Sequence, residues 1–206
     1  LALGQILLAQ GEMQAGWNEY EWRNDTDAGK RALLPKLTSA PWNGMKLDGR
    51  LLLIGDQGFG DTIQFARYVT LAAERCQEVI LGCAADLLPL LSKLPGLTAC
   101  HNRWDAVPPH AAYQRLSSLP YLFRTEIETI PSPGAYLSAD PARVAAWRDL
   151  LGDAGGALRV GLAWSGRPAH PNNRRRSLRL QALWPLAEVP NVRFVAVQKP
   201  VPAADR

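Results

Sequence analysis

Leu51-Leu52-Leu53-Ile54-Gly55-Asp56-Gln57-Gly58-Phe59-Gly60-Asp61-Thr62-Ile63-Gln64-Phe65-Ala66-Arg67-Tyr68 begins as an unbroken apolar run, turns through glycines and continues as an amphipathic helical pattern. The run reads as a strand buried on both faces of a sheet, and the helix is predicted to open at Asp61. Three glycines in six residues let the backbone bend sharply and approach a bound group. The carboxyl end of such a strand is where open α/β sheets bind ligands.

Downstream the same alternation repeats. A strand is predicted over 78–83, a helix over 85–93 that stops before Pro95-Gly96, and a short strand over 97–100. A long proline-bearing stretch then runs to Pro120. Strand and helix in alternation with short connections imply a parallel, right-handed sheet covered on both sides, which is a Rossmann-like α/β architecture over 51–138. Asp140-Pro141 is a strong helix start, since Asp caps free amides and Pro is tolerated at the first helical position. After that helix, which ends at Gly152, strand 159–164, helix 178–187 and strand 193–197 restart the pattern. Residues 139–206 therefore read as a connecting helix and an incomplete second Rossmann-like domain, about one βαβ unit and too little to close a core.

Upstream, residues 1–24 carry two short helical patterns broken at Gln10-Gly11-Glu12. Leu3, Gly4 and Leu7, then Gly16 and Tyr20, fall where a tetratricopeptide repeat places its small and large packing residues. One such pair cannot bury its own face, so it reads as the last repeat of an array or a cap on the next domain; a generic helical hairpin fits these residues equally well. Residues 25–50 are polar and irregular and read as a linker, with Trp42 as its anchor on a neighbouring surface.

Composition narrows the class. An apolar content of 47% and a charged content of 20% over 206 residues predict a globular protein with a core. No apolar run approaches the roughly 20 residues needed to cross a bilayer, and neither a basic cluster nor a cleavage-like segment opens the chain. The expected location is the cytoplasm, with Cys76, Cys83 and Cys100 as reduced core thiols, since their number and spacing fit neither a disulfide framework nor a zinc site. The chain starts at Leu1 within a helical pattern, which reads as a fragment of something longer. His101, His110 and His170 have no companions at metal-ligand spacing, so no metal is expected.

Much of the net charge of +4 lies in Arg167, Arg174, Arg175, Arg176 and Arg179. Such a cluster reads as a solvated surface or a phosphate site; nucleic acid ranks third, because no alternating basic and aromatic pattern accompanies it. Nearby, Ser165 and Gly166 can offer backbone amides to an anion, Arg176 can pair with phosphate oxygens and Ser177 can cap the next helix. The glycine turn at 55–60 is not a dinucleotide fingerprint: counted from Gly58, the third glycine position holds Ile63, which disfavours a nicotinamide or flavin cofactor. Asp61 with Gln64 three residues on also spells a capping box, in which the acid would serve only its own helix.

Positions 56–68 closely resemble the first loop of family-nine glycosyltransferases, the heptosyltransferase-like proteins, in the branch that carries tetratricopeptide repeats. The resemblance extends to Trp164-Ser165-Gly166, to Arg176-Ser177 before a helical pattern, and to Ser117-Ser118-Leu119-Pro120, which would line the acceptor cleft or simply open a helix. It implies a GT-B glycosyltransferase, inverting and metal-independent, with two Rossmann-like domains facing one another. Asp61 would then be the catalytic base toward an acceptor hydroxyl, with Gln57, Gly58, Gly60 and Gln64 shaping the acceptor loop. Ser165, Gly166, Arg176 and Ser177 would hold the diphosphate of a nucleotide-sugar donor, with no further cofactor. The implied acceptor is a saccharide, a lipid-linked molecule or a protein, with a possible protein partner on upstream repeats and no nucleic acid. With most of a donor domain lacking, the chain as written is not expected to be a complete enzyme. The alternatives are a repeat-containing interaction or scaffold protein with a degenerate transferase domain, and a nucleotide-binding regulator.

Overall fold

The apolar run at 51–54 forms the middle of a parallel sheet in the computed structural model, which describes residues 1–26, 37, 39–56, 58–132, 134–166, 168 and 172–205. The chain divides into two units, Leu1–Asp140 and Pro141–Arg206.

The first unit holds strands β1 (Ala40–Pro41), β2 (Leu47–Ile54), β3 (Cys76–Gly82), β4 (Ala99–His101) and β5 (Ala112–Arg115). Their order across the sheet is β1-β5-β2-β3-β4 and every pairing is parallel. Leu51, Leu52 and Leu53 are each 0% exposed, so β2 is covered on both faces, as its unbroken apolar run requires. Side chains alternate between the faces: Leu51 and Leu53 join Val79 and Leu81 in the main core, while Leu52, Ile54 and Ile80 form a smaller cluster behind it. From β2 the chain steps one way through β3 to β4, then returns to place β5 on the other side. The point where the order reverses lies between the carboxyl ends of β2 and β5.

Several elements differ from the sequence reading. The helix after β2 opens at Phe59 rather than Asp61, with α3 (Phe59–Phe65) continuing through a 3-10 turn (Ala66–Tyr68) into α4 (Val69–Ala73). Strand β2 starts at Leu47, and both its first residues and β1 fall inside 25–50, read as a linker. Strand β5 sits in the proline-bearing stretch where no strand was expected; only Ala112 of its four residues is buried, which leaves little apolar signal. Helix 85–93 resolves into a 3-10 turn (Ala85–Leu87) and a short α5 (Leu88–Leu91). Trp42 does anchor its segment: it is 3% exposed, donates Nε1–H to the Met45 carbonyl at 2.8 Å and meets Phe123 edge-on.

Residues 1–21 form the expected helical pair, α1 (Ala2–Ala9) and α2 (Met13–Glu21), turned by Gly11 at φ +85°. A Cβ on Gly4 would lie 2.7 Å from the Tyr20 nitrogen, and one on Gly16 would lie 2.7 Å from Leu8 Cγ. Only glycine permits that approach. Met13 and Trp17 of α2 enter the main core, and Trp17 donates to the Thr125 carbonyl at 3.2 Å and packs edge-on against Phe65. The pair, the connecting segment and the sheet thus share one core. Leu3 and Ile6 of α1, and Leu1 just before it, remain exposed.

The second unit contains α7 (Pro141–Leu151) and two parallel strands, β6 (Leu158–Leu162) and β7 (Val192–Ala196), with the short α8 (Asn173–Arg176) between the strands; α6 (Leu119–Leu122) belongs to the first unit. The helix expected over 178–187 is a 3-10 run, Leu180–Glu188, that contains Pro185. Proline has no amide hydrogen and crowds the carbonyl four residues back, so an α-helix is not sustained there. Among the described residues no helix is long and apolar enough to cross a membrane.

The two helical glycines of different surroundings should respond oppositely to alanine. Gly4→Ala gains about 1 kcal/mol of helix propensity but forces the helices apart at a cost of about 1–3 kcal/mol, so net destabilisation is expected in urea unfolding. Gly60→Ala, whose methyl would meet no atom within 4 Å, is expected to hold or raise stability by up to about 1 kcal/mol.

Candidate functional site

The carboxyl ends of β2 and β5 converge where open α/β sheets place ligands. Here the crevice is filled by the chain's own polar groups. Asp56, two residues past β2, accepts hydrogen bonds from the Ser117 amide at 3.1 Å and from the Ser117 hydroxyl. Arg23, just after α2, donates through Nη2 to Ser117 Oγ at 2.8 Å and Ser118 Oγ at 2.7 Å, while its Nη1 pairs with Glu21 at 2.6 Å. Ser118 Oγ in turn donates to Glu21 Oε2 at 2.9 Å. Both serines are fully buried, so each of these bonds is made in a site where an unmade one is costly. Burial pushes the Asp56 carboxyl above the ordinary range, against the opposing effect of the Ser117 hydrogen bonds and the Arg23 charge. Burial also lowers the pKa of Arg115, whose neighbours include the charges of Arg23 and Asp56.

Asp61 stands one turn further on and faces elsewhere. The helix's N-cap is Gly58 and no side chain caps it, so the capping-box role read for Asp61 and Gln64 is corrected: Asp61 is the third helical residue. Its carboxylate folds back over the turn, where a Cβ on Gly58 would collide with Oδ2. Among the described residues no hydrogen-bond donor reaches that carboxylate, and Asp61 is exposed. It opens onto a hollow of about 670 Å³ whose walls come from α2 (Met13, Trp17, Tyr20), from α3 (Gly60, Gln64) and from Tyr136. Tyr136 is fixed by its hydroxyl's bond to the Ile63 carbonyl at 2.9 Å and by Arg67, whose guanidinium lies 5.3 Å over its ring. Burial raises the Tyr20 hydroxyl's pKa, opposed by Arg23 and assisted by the charges of Asp56 and Asp61. Gln57, assigned to the same loop from sequence, lies outside the described residues, as do Arg167 and His170.

In the second unit the structure brings Ser165, Gly166, Arg176 and Ser177 together, but with the amide and hydroxyl donors of Ser165, Gly166 and Ser177 already engaged. The Gly166 amide donates to Ser177 Oγ at 3.0 Å, and Ser177 Oγ donates to Asn173 Oδ1 at 2.9 Å. The Ser165 and Trp164 amides both donate to Gln198 Oε1, at 2.9 and 3.0 Å. Two readings are therefore corrected: these amides do not stand open to an anion, and Ser177 closes its own loop instead of capping the 3-10 run, whose flanking residue is Arg179. Arg176 remains exposed, and a Cβ on Gly166 would lie 3.2 Å from its Nε. Gln198, buried past the end of β7, gave no signal in sequence because a lone glutamine matches no motif. Asp56 and Arg23 likewise carry no motif that marks their pairing through Ser117, although Asp56 lies in the decisive stretch.

Among the described residues no group of three or more His, Cys, Asp or Glu could hold a metal ion. No protein-family model and no solved structure matches the chain. The chain is similar to Protein FlbA of Caulobacter vibrioides, with 30% identity over 227 residues, covering 96% of this chain and 36% of FlbA. It thus spans about a third of the length of that curated relative.

The raised carboxyl of Asp56 has a consequence in solution. The folded state holds this proton more tightly than the unfolded chain, so the stability it contributes is present at low pH and lost as pH rises through the folded pKa. Relative to Asp56→Asn, the native chain is expected to lose stability as pH rises above the ordinary carboxylate range. Melting curves of the two proteins across that range check this; a constant difference would contradict it.

Proposed function

We propose that the chain is the acceptor-side part, with the beginning of the donor-side part, of a GT-B glycosyltransferase that moves a sugar from a nucleotide sugar to an acceptor hydroxyl with inversion and without a metal. The supporting observation is the Asp61 carboxylate: exposed, without a hydrogen-bond donor among the described residues, and held over Gly58 at the mouth of a 670 Å³ hollow. A volume in that range suits a small substrate, and the aromatic wall with Gln64 beside it suits a ligand with both apolar and hydroxyl faces. Asp61 takes the proton from the attacking hydroxyl, a contribution of about 10²–10⁴-fold when the base lies within hydrogen-bond reach.

Arg176 is the group left to meet the charge growing on the leaving diphosphate, because the neighbouring amides serve Ser177 and Gln198. The helical pair is the last of a set of tetratricopeptide-type units, in which Gly4 and Gly16 are the small packing positions. The three free thiols support a reducing compartment, and the cytoplasm is the location this reading expects. A second reading, a repeat-containing interaction module, draws on exposed Leu1 and on Leu3 and Ile6 of α1, an apolar set that suits a neighbouring helix.

Asp61→Asn in the full-length protein separates the two. The transferase reading expects sugar transfer to fall by about 10²–10⁴-fold while the unfolding free energy stays within about 0.5 kcal/mol of the parent. Undiminished transfer in the variant would overturn the base assignment, and an absence of any sugar consumption in the parent would favour the interaction module.

A further inference from the structure

We propose that Cys83 and Cys100 form a dithiol modification site, oxidised by small disulfides to an intramolecular disulfide that spans the ends of β3 and β4. Their sulfurs lie 3.5 Å apart. The sheet register explains why: Leu81 pairs with Cys100, and Cys83 lies two positions beyond Leu81, so both side chains stand on one face. The Cys83 amide donates to the His101 carbonyl at 2.9 Å, which carries the ladder one step past the end of β3 and holds the two strands in register. Both cysteines are half-buried, whereas Cys76 is buried. Among the described residues β4, three residues long, pairs only with β3, so the remaining approach of the two sulfurs falls on a short edge strand.

The two thiols have distinct roles. Cys83 lines a cavity of about 220 Å³ at the carboxyl edge of the sheet, beside Gly55, His101 and Trp104, and so meets an incoming reagent first. The hydrogen bond from Cys100 holds the Cys83 thiol below the usual range, while that same bond and burial push Cys100 up. The Cys83 thiolate attacks one sulfur of a disulfide R–S–S–R; that bond breaks, a mixed disulfide forms on Cys83, and the departing thiolate takes a proton from water. Cys100 then gives up its proton, and its sulfur attacks Cys83 Sγ. The second R–S⁻ leaves as thiol, and the Cys83–Cys100 bond remains. Two protein thiols are oxidised and one disulfide is reduced to two thiols. Burial raises Cys76 to about 11, which keeps it out of the exchange.

The test treats the native full-length protein with glutathione disulfide and maps its peptides without reduction. The expected result is a Cys83–Cys100 cross-link that a dithiol reductant reverses, with Cys76 still titratable. Cys100→Ser should stop at a glutathione adduct on Cys83, and Cys83→Ser should give no cross-link. The proposal is overturned if the native protein keeps all three thiols, accumulates the adduct on Cys83 without cross-linking, or pairs Cys76 instead.

Discussion

The guanidinium of Arg23 is the interaction on which the first unit depends. It leaves the end of the helical pair, enters the crevice between the carboxyl ends of β2 and β5, and divides its donors between the hydroxyls of Ser117 and Ser118 and the carboxylate of Glu21. Breaking a buried charged pair by removing one partner typically costs about 3–5 kcal/mol, because the remaining group is left uncompensated. Side-chain exposures of 12% for Arg23 and 24% for Glu21 put this pair nearer that regime than the exposed one, where a bridge is worth little. The docked helices then bury Met13 and Trp17, and the apolar contribution follows the polar registration.

That docking gives Asp61 its surroundings. One side of the hollow is formed by the helical pair, through Leu8 of α1 and Met13, Trp17 and Tyr20 of α2, and the rest by the helix after β2 with Ile130 and Tyr136, so the cavity exists only because the helical pair is seated on the sheet. Gly58 leaves room for the present position of the Asp61 carboxylate, which a side chain there would turn aside. The two acids of the decisive stretch have been sorted by environment: Asp56 is spent on structure by Ser117, and Asp61 is left open to solvent. One carboxylate thus sits in a satisfied network and its neighbour at a cavity mouth, which is the arrangement the proposed role of Asp61 requires.

How much of this could be read from residues alone follows from where the signal lies. Buried central strands announce themselves, as β2 and β3 do through their apolar runs, and the more exposed β6 and β7 are still legible from their Val-, Leu- and Phe-bearing runs. Strand β5 is not, because Tyr113, Gln114 and Arg115 are half-buried and polar enough to read as loop. Asp61 looked like a cap because Asp before a helical pattern with Gln three residues on is the usual spelling of one; the glycines at 58 and 60 let the helix begin earlier. Pro185 breaks the helical pattern over 178–187, and a 3-10 run takes the place of the helix. The Arg23 network was illegible for a different reason: it joins groups 94 and 95 residues apart, and no local pattern encodes such a pairing.

The most direct measurement is a double-mutant cycle between Arg23→Ala and Ser117→Ala, read by urea unfolding of the protein. If the guanidinium seats the helical pair on the sheet, the two losses are coupled by about 1–3 kcal/mol, since each variant removes the same contact. Losses that add to within about 0.5 kcal/mol would mean that the two groups act independently, and the account of how the hollow is built would be contradicted.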